Sequence, residues 1–221
     1  MKNNLLNRCL AEFFGTYALV FFGCGSMIMN QINESIMPGF IIPIIFGLII
    51  CIMIYVFGDL SGAHFNPAVS VGFCFLKEIS LKNNLFYIAS QCLGAILASA
   101  THLMLFKKAH DYGMTNLHNG MDLIGGISFE IILTFFLMLT ILFVSKARQN
   151  IAVFSGVAIG AMVAIASYVG GPYTGSSMNP ARSIGPAFLA TDFNILYIYI
   201  IFPILGSLIA CFLYKTLYLS K

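Results

Sequence analysis

The chain has 221 residues, of which 59% are hydrophobic and only 9% charged, with a formal net charge of +3. Soluble domains carry about 25% charged residues, so a chain with a mean hydropathy of +0.92 lacks the polar surface a soluble fold needs, and most of its surface faces lipid. The small net charge excludes a nucleic-acid footprint. The six cysteines stand singly in apolar segments with no Cys-x-x-Cys pair, which fits small buried residues rather than a disulfide frame or a metal site.

Crossing a hydrocarbon core of about 30 Å takes about 20 apolar helical residues. In chain order, the first stretch that qualifies is Cys9–Met29, too long for a signal-peptide core and followed by no cleavage-like site. Pro38–Phe57 is the second. A Gly/Ser-containing segment then leads into Pro67–Leu76, which is apolar but too short to cross. Leu85–Phe106, Ile124–Val144 and Ile151–Val169 are the next three spans. Pro180–Leu189 is a second short stretch, and Ile195–Tyr214 is the sixth span. Both short stretches begin with Asn-Pro, which suits a helix start, with Asn as cap and Pro in the first turn. The pattern predicts an all-α membrane protein of six transmembrane helices and two re-entrant half-helices.

Lysine and arginine set the orientation. Lys2, Arg8, Lys77, Lys82, Lys146, Arg148, Lys215 and Lys221 fall on one side, and Lys107, Lys108 and Arg182 on the other. Eight against three places both termini in the cytoplasm of a cell membrane. Asn33-Glu34-Ser35 is a formal glycosylation sequon on the outer side, meaningful only in a eukaryotic secretory route.

The chain also repeats itself. Ser61 to Ser70 matches Thr174 to Ser183 at an offset of 113, and Gly47 matches Gly160 at the same offset. Gly94 and Ala98 match Gly206 and Ala210 at 112, and Glu12 and Thr16 match Glu130 and Thr134 at 118. The expected organisation is one channel domain over 1–221, with a first repeat over about 8–106 and a second over about 124–218. Three spans per repeat is an odd number, so the second copy is inverted. Broken helices at paired positions of inverted repeats point to a functional site near the midplane, where irregular backbone survives only in protein or along a water-filled cavity.

At that site two half-helix N-termini meet, each carrying about half a positive charge. Asn66 and Asn179 add amide donors that can hold a neutral molecule by its oxygen, while the same field opposes cations and a proton-conducting water wire. Pro67 and Pro180 set the turns, and Ala68 and Ala181 are small enough to let them touch. The alternative is that each Asn only caps its own helix. Arg182, one turn into the second half-helix, is costly inside a membrane and should face the bundle or a lumen; the alternative is a snorkelling, lipid-facing side chain.

The segments Ser61-Gly62-Ala63-His64-Phe65-Asn66-Pro67-Ala68-Val69 and Met178-Asn179-Pro180-Ala181-Arg182-Ser183-Ile184-Gly185-Pro186-Ala187 resemble the two signature segments of the aquaporin family. The similarity runs from Ala11-Glu12-Phe13-Phe14-Gly15-Thr16 to about Ala210. It implies six tilted helices, two half-helices, a pore in each subunit, a homotetramer in the lipid bilayer, no cofactor and no enzymatic activity. It further implies that Arg182 belongs to an aromatic/arginine constriction completed by Phe46, Ser167 and Ser176. Phe46 fits strict water channels of the family, whereas Ser167 stands where those carry His and leaves a wider, still polar opening. Glycerol channels of the family place Asp directly after the Arg; here Ser183 follows, as in water channels. Tyr55 in Met53-Ile54-Tyr55-Val56-Phe57-Gly58 resembles the plant nodulin-26-like branch, whose members often pass small uncharged solutes. The expectation is a channel for water that also admits small neutral solutes. A facilitator mainly for glycerol, another neutral solute or a metalloid hydroxide is the alternative.

Glu12 and Glu130 sit within spans at matched positions. Either they form a proton relay, as in a secondary transporter, or each accepts backbone N–H bonds from the adjoining re-entrant loop, the role the resemblance implies. His64 is expected to pack and hydrogen-bond, with pH gating as the alternative. No Ser/His/Asp set, metal-ligand cluster or phosphate loop stands at catalytic spacing.

Overall fold

The computed structural model describes residues 4–33, 37–106, 112–147 and 152–219. Among the described residues six helices are long and apolar enough to cross a bilayer, and Ile151, the expected start of the fifth span, lies outside the described residues. The six are α1 (Leu5–Ile32), α2 (Ile41–Ser61), α4 (Leu81–Leu105), α5 (Leu123–Ser145), α6 (Ser155–Thr174) and α8 (Leu196–Tyr214). Between them lie α3 (Pro67–Phe75) and α7 (Pro180–Ala190), of 9 and 11 residues. At about 1.5 Å rise per residue each covers roughly half the hydrocarbon core. A π-helical turn, Lys215–Leu219, continues α8. The described residues contain no strand.

Helix ends follow local chemistry. α1 starts four residues before the apolar stretch because the side chain of Asn4 accepts the N–H of Leu6. Ser80 caps α4 by accepting from Asn83 N at 3.2 Å, and Asp122 caps α5 by accepting from Gly125 N at 2.7 Å. α6 runs past Val169 through Gly170, Gly171 and Pro172 to Thr174. Its last turn is held from outside: Asn119 Nδ2 donates to Pro172 O at 2.6 Å and His118 N to Tyr173 O at 2.9 Å. α2 and α6 both stop on a left-handed glycine, Gly62 (φ 90°) and Gly175 (φ 72°), the backbone conformation only glycine adopts freely.

The helices pack in matched pairs, α1 on α4 and α5 on α8, with α2 on α6 between the two sets. Close approach depends on small residues, as expected where lipid removes any hydrophobic drive between helices. A Cβ on Gly94 of α4 would strike Phe13 O of α1, and one on Gly206 of α8 would strike Ile131 O of α5. A Cβ on Gly47 of α2 would strike Gly160 O of α6. Ile44, Leu48 and Ile52, spaced by one turn on the outer face of α2, are exposed and form part of the apolar girdle.

Several contacts gather segments at one end of the bundle. Lys146 beyond α5 pairs with Glu78 beyond α3 at 2.7 Å, and Lys215 lies 5.2 Å from the Phe75 ring centre. Arg8 Nε donates to Tyr87 Oη, and Tyr87 Oη to Ser61 O, both at 2.7 Å. Of the charges used for orientation, Lys2, Lys107, Lys108, Arg148 and Lys221 lie outside the described residues, as do Glu34 and Ser35 of the sequon. Arg182 is buried at 2% exposure, so it belongs to the interior and not to a loop facing either side.

Candidate functional site

The segments before α3 and α7 adopt the same strained path. Gly62, Ala63 and Phe65 have φ of 90°, 52° and 50°; Gly175, Ser176 and Met178 have 72°, 45° and 51°. Left-handed non-glycine residues cost of order 1–3 kcal/mol each and persist only where their surroundings over-determine them. Here one buried carboxylate does so in each half. Glu12 accepts from Ser61 Oγ (2.6 Å), His64 N (3.0 Å), Phe65 N (2.6 Å) and Gln91 Nε2 (2.8 Å). Glu130 accepts from Thr174 Oγ1 (2.9 Å), Ser177 N (3.0 Å) and Met178 N (2.9 Å). Both carboxylates are fully buried, and every bond they make holds a loop or, through Gln91, a neighbouring helix.

Each loop ends on its asparagine. Asn66 Oδ1 accepts from Ala68 N at 2.8 Å, and Asn179 Oδ1 from Ala181 N at 3.0 Å and Arg182 N at 3.4 Å, with Pro67 and Pro180 at the first helical position. The two turns are then tied to each other. Asn66 Nδ2 donates to Met178 O at 2.7 Å, and Asn179 Nδ2 donates to Phe65 O at 2.9 Å. An amide NH2 has two hydrogens, so each asparagine keeps one for another acceptor. Ala68 and Ala181 are fully buried where the half-helices meet, and Ser207 Oγ donates to Ala68 O at 2.7 Å.

Both asparagines line a cavity of about 560 Å³ that also takes in His64, Phe46, Ser167, Ser176 and Arg182. A second cavity of about 540 Å³, lined by Met27, Pro43, Tyr168 and Gly175, shares Phe46 and Ser167 with the first. These two residues therefore border both open spaces. Arg182 lies beside Phe46. Its Nη1 donates to Gly113 O at 2.8 Å, its Nη2 to Met27 Sδ at 3.1 Å, and its guanidinium sits 5.3 Å from the Phe46 ring centre. Ser176 Oγ donates to Ala166 O at 3.0 Å, which leaves the hydroxyl oxygen as acceptor. His64 stacks on Phe73 at 4.7 Å and its Nδ1 lies 2.9 Å from Ser70 Oγ.

The residues singled out in the sequence are thus brought together: the Asn-Pro-Ala turns, the Phe46, Ser167, Ser176 and Arg182 quartet, and the two carboxylates behind the loops. Others carried no signal. Gly113 O and Met27 Sδ hold Arg182 from far away in sequence. Thr115, Ser177 and Ser183 form a hydroxyl chain behind the second turn, at 2.9 Å and 2.6 Å about Ser183 Oγ. Only the match of Ser183 to Ser70 hinted at it.

The chain matches the family model described as Major intrinsic protein over residues 1–214. It is 39% identical over 212 residues to Nodulin-26 of Glycine max, an alignment covering 95% of this chain and 77% of that protein. It is 39% identical over 215 residues to the "Probable aquaporin NIP-type" of Nicotiana alata, covering 96% and 77%. Among solved structures it is similar to the aquaglyceroporin from Plasmodium falciparum, with a TM-score of 0.87 and 26% identity over 97% of each chain.

Proposed function

The chain belongs to the major intrinsic protein family and is a membrane channel, not an enzyme, and from that premise we propose that it passes water and small uncharged solutes while turning back ions and protons. The observation that carries this reading is the reciprocal tie between Asn66 and Asn179. It fixes both amides at the mouth of two opposed half-helices and leaves one N–H of each for a passing oxygen. A water held there by two fixed donors is turned away from its neighbours, which breaks a proton wire, and the two helix N-termini repel cations. Arg182 adds a fixed positive charge at the constriction. Glu12 and Glu130 support a channel rather than a coupled transporter, because their oxygens are occupied by the loops and neither residue lines either cavity.

Ser167 favours a second component of the activity. Its small side chain narrows the passage less than an imidazole would, so a neutral solute larger than water should follow. Stopped-flow swelling of proteoliposomes tests both parts. Water permeability no greater than that of empty vesicles would sink the water channel. Absence of glycerol and urea uptake would sink the solute component. Ser167→His should lose the larger solutes and keep water.

On the same reading the 221 residues are one channel domain with repeats over about 8–106 and 124–218. The chain assembles as a homotetramer in the plasma or inner membrane with both termini in the cytoplasm. The family resemblance supports the assembly, which the mass of the detergent-solubilised protein tests. The excess of Lys and Arg at the end that holds Arg8, Lys77, Lys146 and Lys215 supports the orientation.

A further inference from the structure

The constriction has a wall that the quartet of Phe46, Ser167, Ser176 and Arg182 leaves out. Helix α1 passes beside it and presents Gly23 and Met27, one turn apart. A Cβ on Gly23 would run into the Phe46 ring, so the ring packs on bare α1 backbone. Cys24, next to Gly23, touches Gly113: a Cβ on Gly113 would lie 2.8 Å from Cys24 Cβ. Gly113 O in turn accepts from Arg182 Nη1. Met27 closes the set, because its sulfur accepts from Arg182 Nη2 at 3.1 Å and it lines the second cavity beside Phe46 and Ser167. Arg182 Nε has no hydrogen-bond partner among the described residues, so the two Nη bonds hold the guanidinium.

We propose that Met27 is a positioning residue of the filter: its sulfur fixes Nη2 of Arg182 and thereby sets how sharply the channel separates small polyols from water. This rests on the reading of the Phe46–Ser167–Ser176–Arg182 ring as the constriction. A thioether is a weak acceptor. It holds Nη2 in place, yet a passing water or hydroxyl oxygen can compete for the same hydrogen. Without the sulfur, the planar guanidinium pivots on its remaining Nη1 bond to Gly113 O, turns both Nη2 hydrogens toward a solute hydroxyl and no longer defines the opening.

Two substitutions separate this role from packing. Met27→Leu keeps nearly the same volume and removes the acceptor. Met27→Gln keeps the length and supplies an amide oxygen. The measurement is the ratio of glycerol to water permeability in proteoliposomes of the full chain. The ratio should rise about fivefold in Met27→Leu, the scale of one modest hydrogen bond, and stay within about twofold of wild type in Met27→Gln. Wild-type ratios in both variants would overturn the proposal. An equal rise in both would also overturn it, since the residue would then act by shape alone. A wild-type channel impermeable to water and glycerol alike would instead overturn the underlying channel reading, and the two failures are told apart before any variant is made.

Discussion

At the residue scale, two buried carboxylates hold two segments of left-handed backbone. Glu130 is the barer of the two. Among the described residues its carboxylate accepts three bonds, whereas that of Glu12 accepts four, because Gln91 donates to Glu12 and the matching position of the second repeat is Pro203, which has no side-chain donor. Glu130→Gln exchanges one carboxylate oxygen for an NH2 that faces donors, so at least one of Thr174 Oγ1, Ser177 N and Met178 N loses its acceptor. A buried donor left unsatisfied costs about 1–3 kcal/mol. The expected result is a lower midpoint of thermal unfolding in detergent with the helical content at low temperature kept, read by far-UV circular dichroism. Glu12→Gln should lower the midpoint as well, since its new NH2 must face either His64 N or Phe65 N. Equal midpoints for Glu130→Gln and wild type would show that the loop holds itself. These carboxylates were legible in the sequence because a charged residue inside a span is rare and the two stand at matched positions. Their partners were not, since backbone N–H groups leave no mark on a sequence.

Among the elements, the pair α2 and α6 carries Phe46 on one helix and Ser167 on the other, so on the proposed reading their spacing sets the width of the passage. Their spacing is set at Gly47 and Gly160, each of which would drive a Cβ into the other's carbonyl oxygen; at Gly47 the Cβ of Ala164 would also lie only 2.8 Å away. Gly58, on the same helix α2, has nothing within 4 Å of the place its Cβ would take. Two Gly→Ala changes on one helix should therefore act in opposite directions. Gly47→Ala forces the helices apart and should destabilise by about 1–3 kcal/mol. Gly58→Ala gains helix propensity, about 1 kcal/mol at most, and should be neutral or stabilising. Thermal unfolding of the two variants side by side checks this, and a Gly47→Ala midpoint at or above wild type would refute the contact. The spans themselves were legible from length and hydropathy, and both half-helices from Asn-Pro followed by too few apolar residues. Their ends were less so. α6 continues through Gly170-Gly171-Pro172, a run that by itself reads as a stop, because Asn119 and His118 from a distant loop satisfy its last carbonyls. Met27 and Gly113 were invisible for the same reason: a methionine in an apolar helix and a glycine in a loop look ordinary until Arg182 lies between them.

For the whole molecule, the two Asn-Pro-Ala turns tie the halves together at the centre, and on the proposed reading the same contacts perform the selection. Each asparagine does three things: it caps its helix, ties the opposite turn and offers a hydrogen to the passage. Asn66→Asp separates them. The carboxylate can still accept from Ala68 N, now at 2.8 Å from Asn66 Oδ1, so the cap and the entry of α3 into the bundle should survive. The donor to Met178 O is lost, and a negative charge now faces a carbonyl oxygen at the meeting point of two positive helix ends. An N-terminal half charge on each helix no longer outweighs the centre. The barrier to cations should fall while the fold stays intact. Proteoliposomes carrying a trapped pH dye and a potassium gradient should then show proton or cation leak that wild type lacks, with helical content unchanged. Asn66→Ala provides the contrast: it loses the cap as well as the tie but adds no charge, so it should weaken stability without opening a path for cations. If Asn66→Asp stayed as tight to cations as wild type, exclusion would have to come from Arg182 and the constriction alone. The paired turns would then be only the clasp that holds the two halves together.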